Sequence, residues 1–193
     1  MSEWSEFYKG RLGGRYQAHV MKRYAPFINR IIQAGRGISS PVVNFREEGA
    51  GIGTVTAILQ QYAESRFDLD GWKFEMVDRC PEMAELAFQN TGVKCEIFDI
   101  KQRRNMMDAL RPDIIHSHGV LEHFSDDDIR AIIDNQRHLA RSCVVAYVPT
   151  NGYENPSFGD ERLLDVKHWV KEFKPTDVYA FNNGCDLMLY WRA

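Results

Sequence analysis

The chain has 193 residues, of which 44% are hydrophobic and 26% are charged, and its formal net charge at pH 7 is −3. This composition excludes a disordered or fibrous protein, and the length suits one α/β domain with a sizeable core. No apolar run approaches the length of a membrane span, and the N-terminus lacks the apolar core of a signal peptide. The four cysteines are scattered without C-x-x-C spacing, which indicates buried thiols in a reducing compartment. We therefore expect a cytoplasmic protein.

The first 40 residues are predicted to form a helical cover over a core that spans residues 41–193. Apolar residues recur at helical spacing over residues 3–33, and Gly13 and Gly14 are predicted to interrupt the first helix. Up to Arg36 there are seven basic residues and two acidic ones. This basic segment either faces an anionic substrate or forms a solvated helix face, and the sequence leaves both interpretations open.

Residues 42–59 are the most informative stretch of the chain. A short apolar strand leads through the run Gly49-Ala50-Gly51-Ile52-Gly53 into a helical pattern, so the glycines form a strand-to-helix turn. Glycine lets a ligand approach the backbone closely, and the first turn of a helix offers free N–H groups. The stretch therefore predicts a nucleotide-type cofactor loop. The dinucleotide fingerprint G-x-G-x-x-G/A is not met, because Thr54 stands at its last position.

Acidic residues close the next two predicted strands. A strand over residues 72–77 ends at Asp78, where a carboxylate can bind the two hydroxyls of a ribose. Alternatively, Asp78 caps the helix that Pro81 opens. A third strand over residues 93–98 ends at Asp99 and Ile100.

The fourth predicted strand, at residues 113–119, ends in His116-Ser117-His118-Gly119. Ligands of open α/β sheets bind at this carboxyl end, and alternate residues of a strand face opposite sides. His116 and His118 therefore share a face, from which Ser117 points away. Imidazole suits a general base near neutral pH, so His118 is a candidate catalytic base; otherwise it is a histidine of the pocket wall.

The remaining elements complete an α/β order. Ser125 is predicted to cap a helix, a buried strand follows at residues 143–148, and a helix spans residues 163–173. The irregular segment between them should border the substrate pocket, and it contains Tyr153, Asn155, Phe158 and Asp160. Two strands around Asn182-Asn183-Gly184 form a terminal hairpin. We predict a doubly wound, mostly parallel seven-stranded sheet of Rossmann-like type with a C-terminal antiparallel hairpin.

Two motifs in the expected order resemble those of the class I S-adenosylmethionine (SAM)-dependent methyltransferases. These are E-x-G-x-G-x-G from Glu47 to Gly53 and V-L-E-H after the fourth strand, and the resemblance extends from about Val42 to the end of the chain. It implies a methyltransferase that binds SAM and releases S-adenosylhomocysteine (SAH). The residues that it assigns to the cofactor are Glu47, Gly49, Ala50, Gly51, Gly53, Asp78, Arg79, Asp99, Ile100, Ser117, His118 and Gly119. Tyr16 is expected to lie nearest to the cofactor in the N-terminal cover.

A metal site is not expected from the same resemblance. One related O-methyltransferase subgroup binds a divalent cation through a Glu-His pair, here Glu122 and His123, and an acidic residue three positions earlier. Gly119 stands at that earlier position. The first strand also departs from the family pattern, because Arg46 lies at an apolar position. A buried unpaired arginine is costly, so we expect an ion-pair partner for Arg46 or its exposure at the strand end.

The methyl acceptor is not encoded in a recognisable motif. No D/N-P-P-Y/F/W segment follows the fourth strand and no Pro-Cys pair stands there, which argues against methylation of DNA bases. A small-molecule acceptor is the first expectation, and a protein or RNA acceptor remains open. Two alternatives are a SAM-binding partner subunit without activity and an NAD-type dehydrogenase, which Thr54 and the terminal hairpin disfavour.

Overall fold

The computed structural model describes residues 6–8, 10–66, 69–103, 111–154 and 159–193. Its α-helices are α1 (Gly14–Arg23), α2 (Ala25–Arg36), α3 (Thr54–Glu64), α4 (Pro81–Thr91), α5 (Asp126–Leu139) and α6 (Val166–Phe173). Its strands are β1 (Val43–Glu48), β2 (Trp72–Asp78), β3 (Cys95–Ile97), β4 (Ile114–His118), β5 (Cys143–Pro149), β6 (Asp177–Phe181) and β7 (Asp186–Arg192). A short 3-10 helix, Leu121–His123, follows β4.

The seven strands form one sheet in the order β3-β2-β1-β4-β5-β7-β6. Strands β1 to β5 pair in parallel, whereas β7 pairs antiparallel with both β5 and β6. This order confirms the predicted doubly wound sheet and its C-terminal hairpin. The strand order reverses between β1 and β4, so the carboxyl ends of these two strands border the crevice in which open α/β sheets bind ligands.

Helices cover both faces of the sheet. Helices α1, α2 and α3 contribute Val20, Phe27 and Leu59 to a core on one face, and α5 and α6 contribute Ile132 and Trp169 to a core on the other. Strand β5 is buried along its whole length, because it receives helices on both sides.

The N-terminal helices confirm the predicted interruption within the described residues. Helix α1 begins at Gly14, and Gly13 precedes it with φ 95°, a conformation that L side chains rarely adopt. Helix α2 approaches the sheet closely at Gly35, where a Cβ atom would lie 2.5 Å from the ring of Phe45 and 2.9 Å from that of Trp72. These contacts fix the cover on the β1 side of the sheet.

Two predicted elements are longer than the observed ones. Strand β3 is limited to Cys95–Ile97, and α6 begins at Val166 because the Asp165 side chain accepts a hydrogen bond from the His168 N–H and caps the helix there. The predicted helix start at Glu3 and the pocket residues Asn155 and Phe158 lie outside the described residues.

Arg46 has the ion-pair partner that its burial requires. Its side chain is 3% exposed, and Nε and Nη2 donate to Oε2 of Glu75 on β2 at 3.0 and 2.7 Å. The two residues are register partners across β1 and β2. The expectation of an ion-pair partner is therefore confirmed. The four cysteines are free thiols, and no helix among the described residues is long and apolar enough to cross a membrane.

Candidate functional site

The glycine turn lies directly after β1, at the carboxyl edge of the sheet. Gly49, Gly51 and Gly53 have φ values of 67°, 55° and 67°, all in the left-handed region. A Cβ atom at Gly49 would lie 2.6 Å from the side chain of Val120, which follows β4. The turn is therefore packed against the end of β4, the strand beside β1. A ligand site at the reversal of strand order is bordered by these two strand ends.

Glu47 stabilises the turn from its buried side. Its Oε2 accepts hydrogen bonds from the Thr56 N–H at 2.9 Å and the Thr56 hydroxyl at 2.6 Å, which joins the end of β1 to the first turn of α3. Burial raises the pKa of Glu47 to about 7, although the Thr56 hydrogen bonds oppose this rise. The carboxyl group thus orders the turn without facing a ligand.

Asp78 connects the turn to the end of β2. Its Oδ2 accepts a hydrogen bond from the Gly51 N–H at 2.8 Å, and its Oδ1 accepts one from the Cys80 N–H at 2.8 Å. Burial raises the pKa of this carboxyl, and the two backbone donors lower it. The helix that begins at Pro81 has Cys80 at its N-cap and no side-chain capping hydrogen bond, so the alternative that Asp78 caps this helix is wrong.

A cavity, here called the first cavity, lies over the glycine turn. Eight of the residues predicted to bind the cofactor line it: Gly49, Gly51, Asp78, Arg79, Asp99, Ile100, His118 and Gly119. These residues come from the ends of β1, β2 and β4 and from the segment after β3. The structure therefore brings together side chains that are up to 70 positions apart in the chain (Gly49 and Gly119).

Four other predicted residues do not line the first cavity. Glu47 and Ala50 are buried behind the turn, and Ser117 points away from His118 into the core on the opposite face. A Cβ atom at Gly53 would lie 2.8 Å from the sulfur of Met76 and 3.0 Å from Thr91, so this glycine serves the packing of α3 against β2 and α4. Their contribution to a ligand site is indirect.

The N-terminal cover reaches the first cavity through Tyr8, whereas Tyr16 was expected there. Tyr16 lines a second cavity instead. Tyr8 lies before helix α1 and Tyr16 lies within it, so the residue of the cover that lines the first cavity comes from an earlier point in the chain than expected.

The second cavity has a volume of about 320 Å³ and adjoins the first. Four residues, Tyr8, His118, Gly119 and His123, line both cavities. Half of the ten other lining residues are phenylalanine or tyrosine, namely Phe7, Tyr16, Tyr24, Tyr147 and Tyr153. The position of Tyr153 confirms that the segment after β5 borders a pocket.

His118 lies between the two cavities and stacks on aromatic rings. Its ring is 4.6 Å from that of Tyr147 in a stacked arrangement and 4.4 Å from that of Tyr24 in an edge arrangement. Its Nε2 is buried without a hydrogen-bond partner among the described residues. Burial lowers the pKa of His118 to about 4 and that of the neighbouring His116 to about 3, so both rings are neutral at pH 7.

A polar network missed by the sequence analysis supports the aromatic wall. Asp186 is fully buried and accepts a hydrogen bond from the Tyr147 hydroxyl at 2.8 Å, and Arg23 lies 3.4 Å from its other oxygen. Arg23 also donates to the hydroxyl of Tyr153. The network joins the end of α1 to the C-terminal hairpin, and only a three-dimensional fold could reveal the pairing of residues so distant in the chain.

Glu122, His123 and Glu161 form a second cluster at the edge of this cavity. One candidate ligand atom from each lies within 4.8 Å of the others, a donor set that suits a divalent cation. His123 Nδ1 lies 2.7 Å from Oδ1 of Asp160. The third group, Glu161, lies in the segment after β5. The sequence motif places its third ligand at position 119, so it could not identify Glu161. The expectation of no metal is untested.

No protein-family model matches the sequence, and no curated protein matches it significantly. Several solved structures share its fold. A SAM-dependent methyltransferase from Clostridium acetobutylicum superimposes with a TM-score of 0.65 at 12% identity, over 90% of this chain and 96% of that one. The PH0226 protein from Pyrococcus horikoshii gives 0.72 at 10% identity, over 100% and 99%. The magnesium protoporphyrin IX methyltransferase from Synechocystis, with bound SAM, gives 0.63 at 14% identity, over 98% and 88%. The chain therefore has the fold of these proteins.

Proposed function

We propose that this protein is a SAM-dependent methyltransferase that acts on a small-molecule acceptor. The single observation that supports the proposal most strongly is the convergence of the motif residues on the first cavity. The glycine turn, Asp78, Asp99 with Ile100, and His118 with Gly119 come from four separate segments and line one space at the reversal of strand order. Proteins of the same fold include SAM-dependent methyltransferases, one of them with bound SAM.

The residues of the first cavity suit the parts of SAM. Gly49 and Gly51 offer backbone without side chains toward the methionine part, and a Cβ atom at Gly51 would enter the space beside Tyr8, 3.6 Å from its hydroxyl. Asp78 offers a carboxylate to the ribose hydroxyls. Asp99 and the apolar Ile100 are suited to the amino group and the face of the adenine, and Arg79 lines the same side.

The bound cofactor would supply an electrophilic methyl group on a sulfonium, which an acceptor atom takes by in-line displacement. The protein's own contribution is then mainly to position two reactants, since such alignment alone lowers a barrier substantially. Gly119 lines both cavities and has no side chain to separate them. The aromatic wall of the second cavity would hold the acceptor there and exclude water. His118 remains a candidate base, but a pKa of about 4 makes it a weak one at pH 7.

The size of the second cavity favours a small acceptor. Its volume of about 320 Å³ falls at the lower end of the range for small-molecule sites, and aromatic side chains with a set of polar groups are typical of their walls. A protein or RNA acceptor would have to insert one side chain or base into this space.

The proposal is tested by SAH formation from SAM over a panel of small acceptors, with Gly51→Ala and Gly92→Ala as matched variants. Both glycines have left-handed φ and neither Cβ would clash, so the two variants should lose similar stability. Of the two glycines, only Gly51 lines the first cavity. We expect its variant to bind SAM about tenfold or more weakly, because the added methyl group occupies space that the cofactor needs. Equal losses in both variants would contradict the assignment. SAM binding without turnover on any acceptor would instead favour a non-catalytic partner subunit.

A further inference from the structure

Glu122 is a buried carboxyl whose hydrogen-bonding capacity is not filled by the described residues. It is 1% exposed, and its Oε2 has no hydrogen-bond partner among them. A buried carboxyl oxygen left unpaired is costly, so such a group in a native fold indicates a function or a missing partner. The side chain lines the second cavity.

Glu122 lies at the junction of the two cavities. Its Oε1 is 3.3 Å from the position that a Cβ atom of Gly119 would occupy, and Gly119 lines both cavities. A larger residue at position 119 would therefore press on the carboxyl. The left-handed φ of 68° at Gly119 also favours glycine. The carboxyl is thus placed beside the point at which an acceptor atom would meet the methyl group.

The charges around Glu122 favour a ligand that donates N–H groups. Burial, with the carboxylates of Glu161 and Asp160, raises the pKa of Glu122 well above its usual range. The nearby His118 ring is neutral at pH 7 and offers no positive charge. The guanidinium of Arg23 is directed to Asp186, Tyr153 and Tyr24. The cavity therefore combines acidic groups with aromatic faces, a combination that binds organic cations and amines.

We propose that the second cavity binds an organic amine, and that Glu122 accepts its N–H and positions its nitrogen for methylation. This inference rests on the proposed function. In the transfer, the nitrogen lone pair forms the new N–C bond while the S–C bond of the sulfonium breaks and its electron pair remains on sulfur as SAH. The proton released from the nitrogen passes to solvent water. The tyrosine rings hold the apolar body of the amine.

The test is a calorimetric titration of the SAH-saturated protein with isosteric probes. Benzylamine and tyramine are compared with benzyl alcohol, tyrosol and benzoate. We expect the amines to bind about tenfold or more tightly than their alcohol isosteres, because a charge-assisted hydrogen bond is stronger than a neutral one. No preference for amines, or a preference for the alcohols or for benzoate, would overturn the proposal. This comparison uses the unaltered chain, so it does not depend on the folding of a variant.

Variants then assign the preference to Glu122. Glu122→Gln should weaken amine binding about tenfold, lower kcat because the nitrogen is held less precisely, and keep its affinity for SAH. The exposed Glu64, on α3, supplies the control Glu64→Gln, which should change nothing. An unchanged amine affinity in Glu122→Gln would refute the assignment. Mn²⁺ binding that is lost in this variant, without any amine preference, would make Glu122 part of a cation site and overturn the proposal. Failure of SAH to bind the unaltered chain would instead refute the proposed function.

Discussion

Replacement of Glu47 by glutamine tests how the glycine turn is held. Glu47 is 3% exposed, and its carboxylate accepts hydrogen bonds from the N–H and the hydroxyl of Thr56. Its pKa rises from 4.5 to about 7 on burial. One pKa unit is equivalent to about 1.4 kcal/mol. The rise therefore means that folding is about 3 kcal/mol more favourable with Glu47 protonated than with Glu47 ionised.

The sign of the pH dependence follows from proton binding. Between pH 4.5 and 7 the folded chain holds a proton on Glu47 that the unfolded chain has released, so the free energy of unfolding falls as pH rises through this window. The variant Glu47→Gln carries no such proton. Its stability relative to the unaltered chain should therefore increase by about 2–3 kcal/mol from pH 5 to pH 8.

Urea unfolding followed by tryptophan fluorescence measures this difference, because Trp169 and Trp191 are buried. Other carboxyls with raised pKa values, such as Asp78, are present in both chains and largely cancel in the comparison. Glu64→Gln, at an exposed position, should show no dependence on pH relative to the unaltered chain. A flat difference for Glu47→Gln would refute the reasoning, since it would mean that the Thr56 hydrogen bonds fully offset burial.

Two further predictions concern stability. Gly53→Ala should destabilise the fold by about 3 kcal/mol, because the new side chain would combine a left-handed φ with a contact of 2.8 Å to Met76. Gly92→Ala should cost only about 1 kcal/mol, since it adds backbone strain without a contact. Equal midpoints of the two variants in thermal unfolding would contradict this difference. Glu75→Ala should cost about 3 kcal/mol by removing the carboxylate that pairs with the buried Arg46, and the double variant with Arg46→Met should recover most of the loss. Denaturant unfolding of the double-mutant cycle measures the coupling, and strict additivity would show that the pair does not interact.

Motif order and periodicity predicted most of the fold. The glycine turn, the strands that end at Asp78 and His118, and the terminal hairpin at Asn182 each have a local signature, and the rules of parallel sheets then bring their ends together. The sequence predicted that Arg46 would have an ion-pair partner, because a buried arginine requires one. Its partner, Glu75, could be named only once the register of β1 and β2 was known.

The site was predicted less completely because a motif does not distinguish ligand contacts from packing. Gly53 and Ser117 belong to the motifs, but the start of a helix and the alternation of a strand turn them away from the cavity. Tyr8 and Glu161 lie outside the motifs, so their positions at the site depend on tertiary packing. Residues of this kind form much of the second cavity, and for that reason the acceptor chemistry was not readable from the sequence.

Calorimetric titration of the purified protein with SAM and SAH, with NAD as the comparison, tests whether the first cavity is a SAM site. We expect saturable, one-to-one binding of SAM and SAH and no binding of NAD. Binding of NAD in competition with SAM, or no binding of SAM and SAH at concentrations at which the protein is folded, would contradict the assignment of the first cavity as a SAM site.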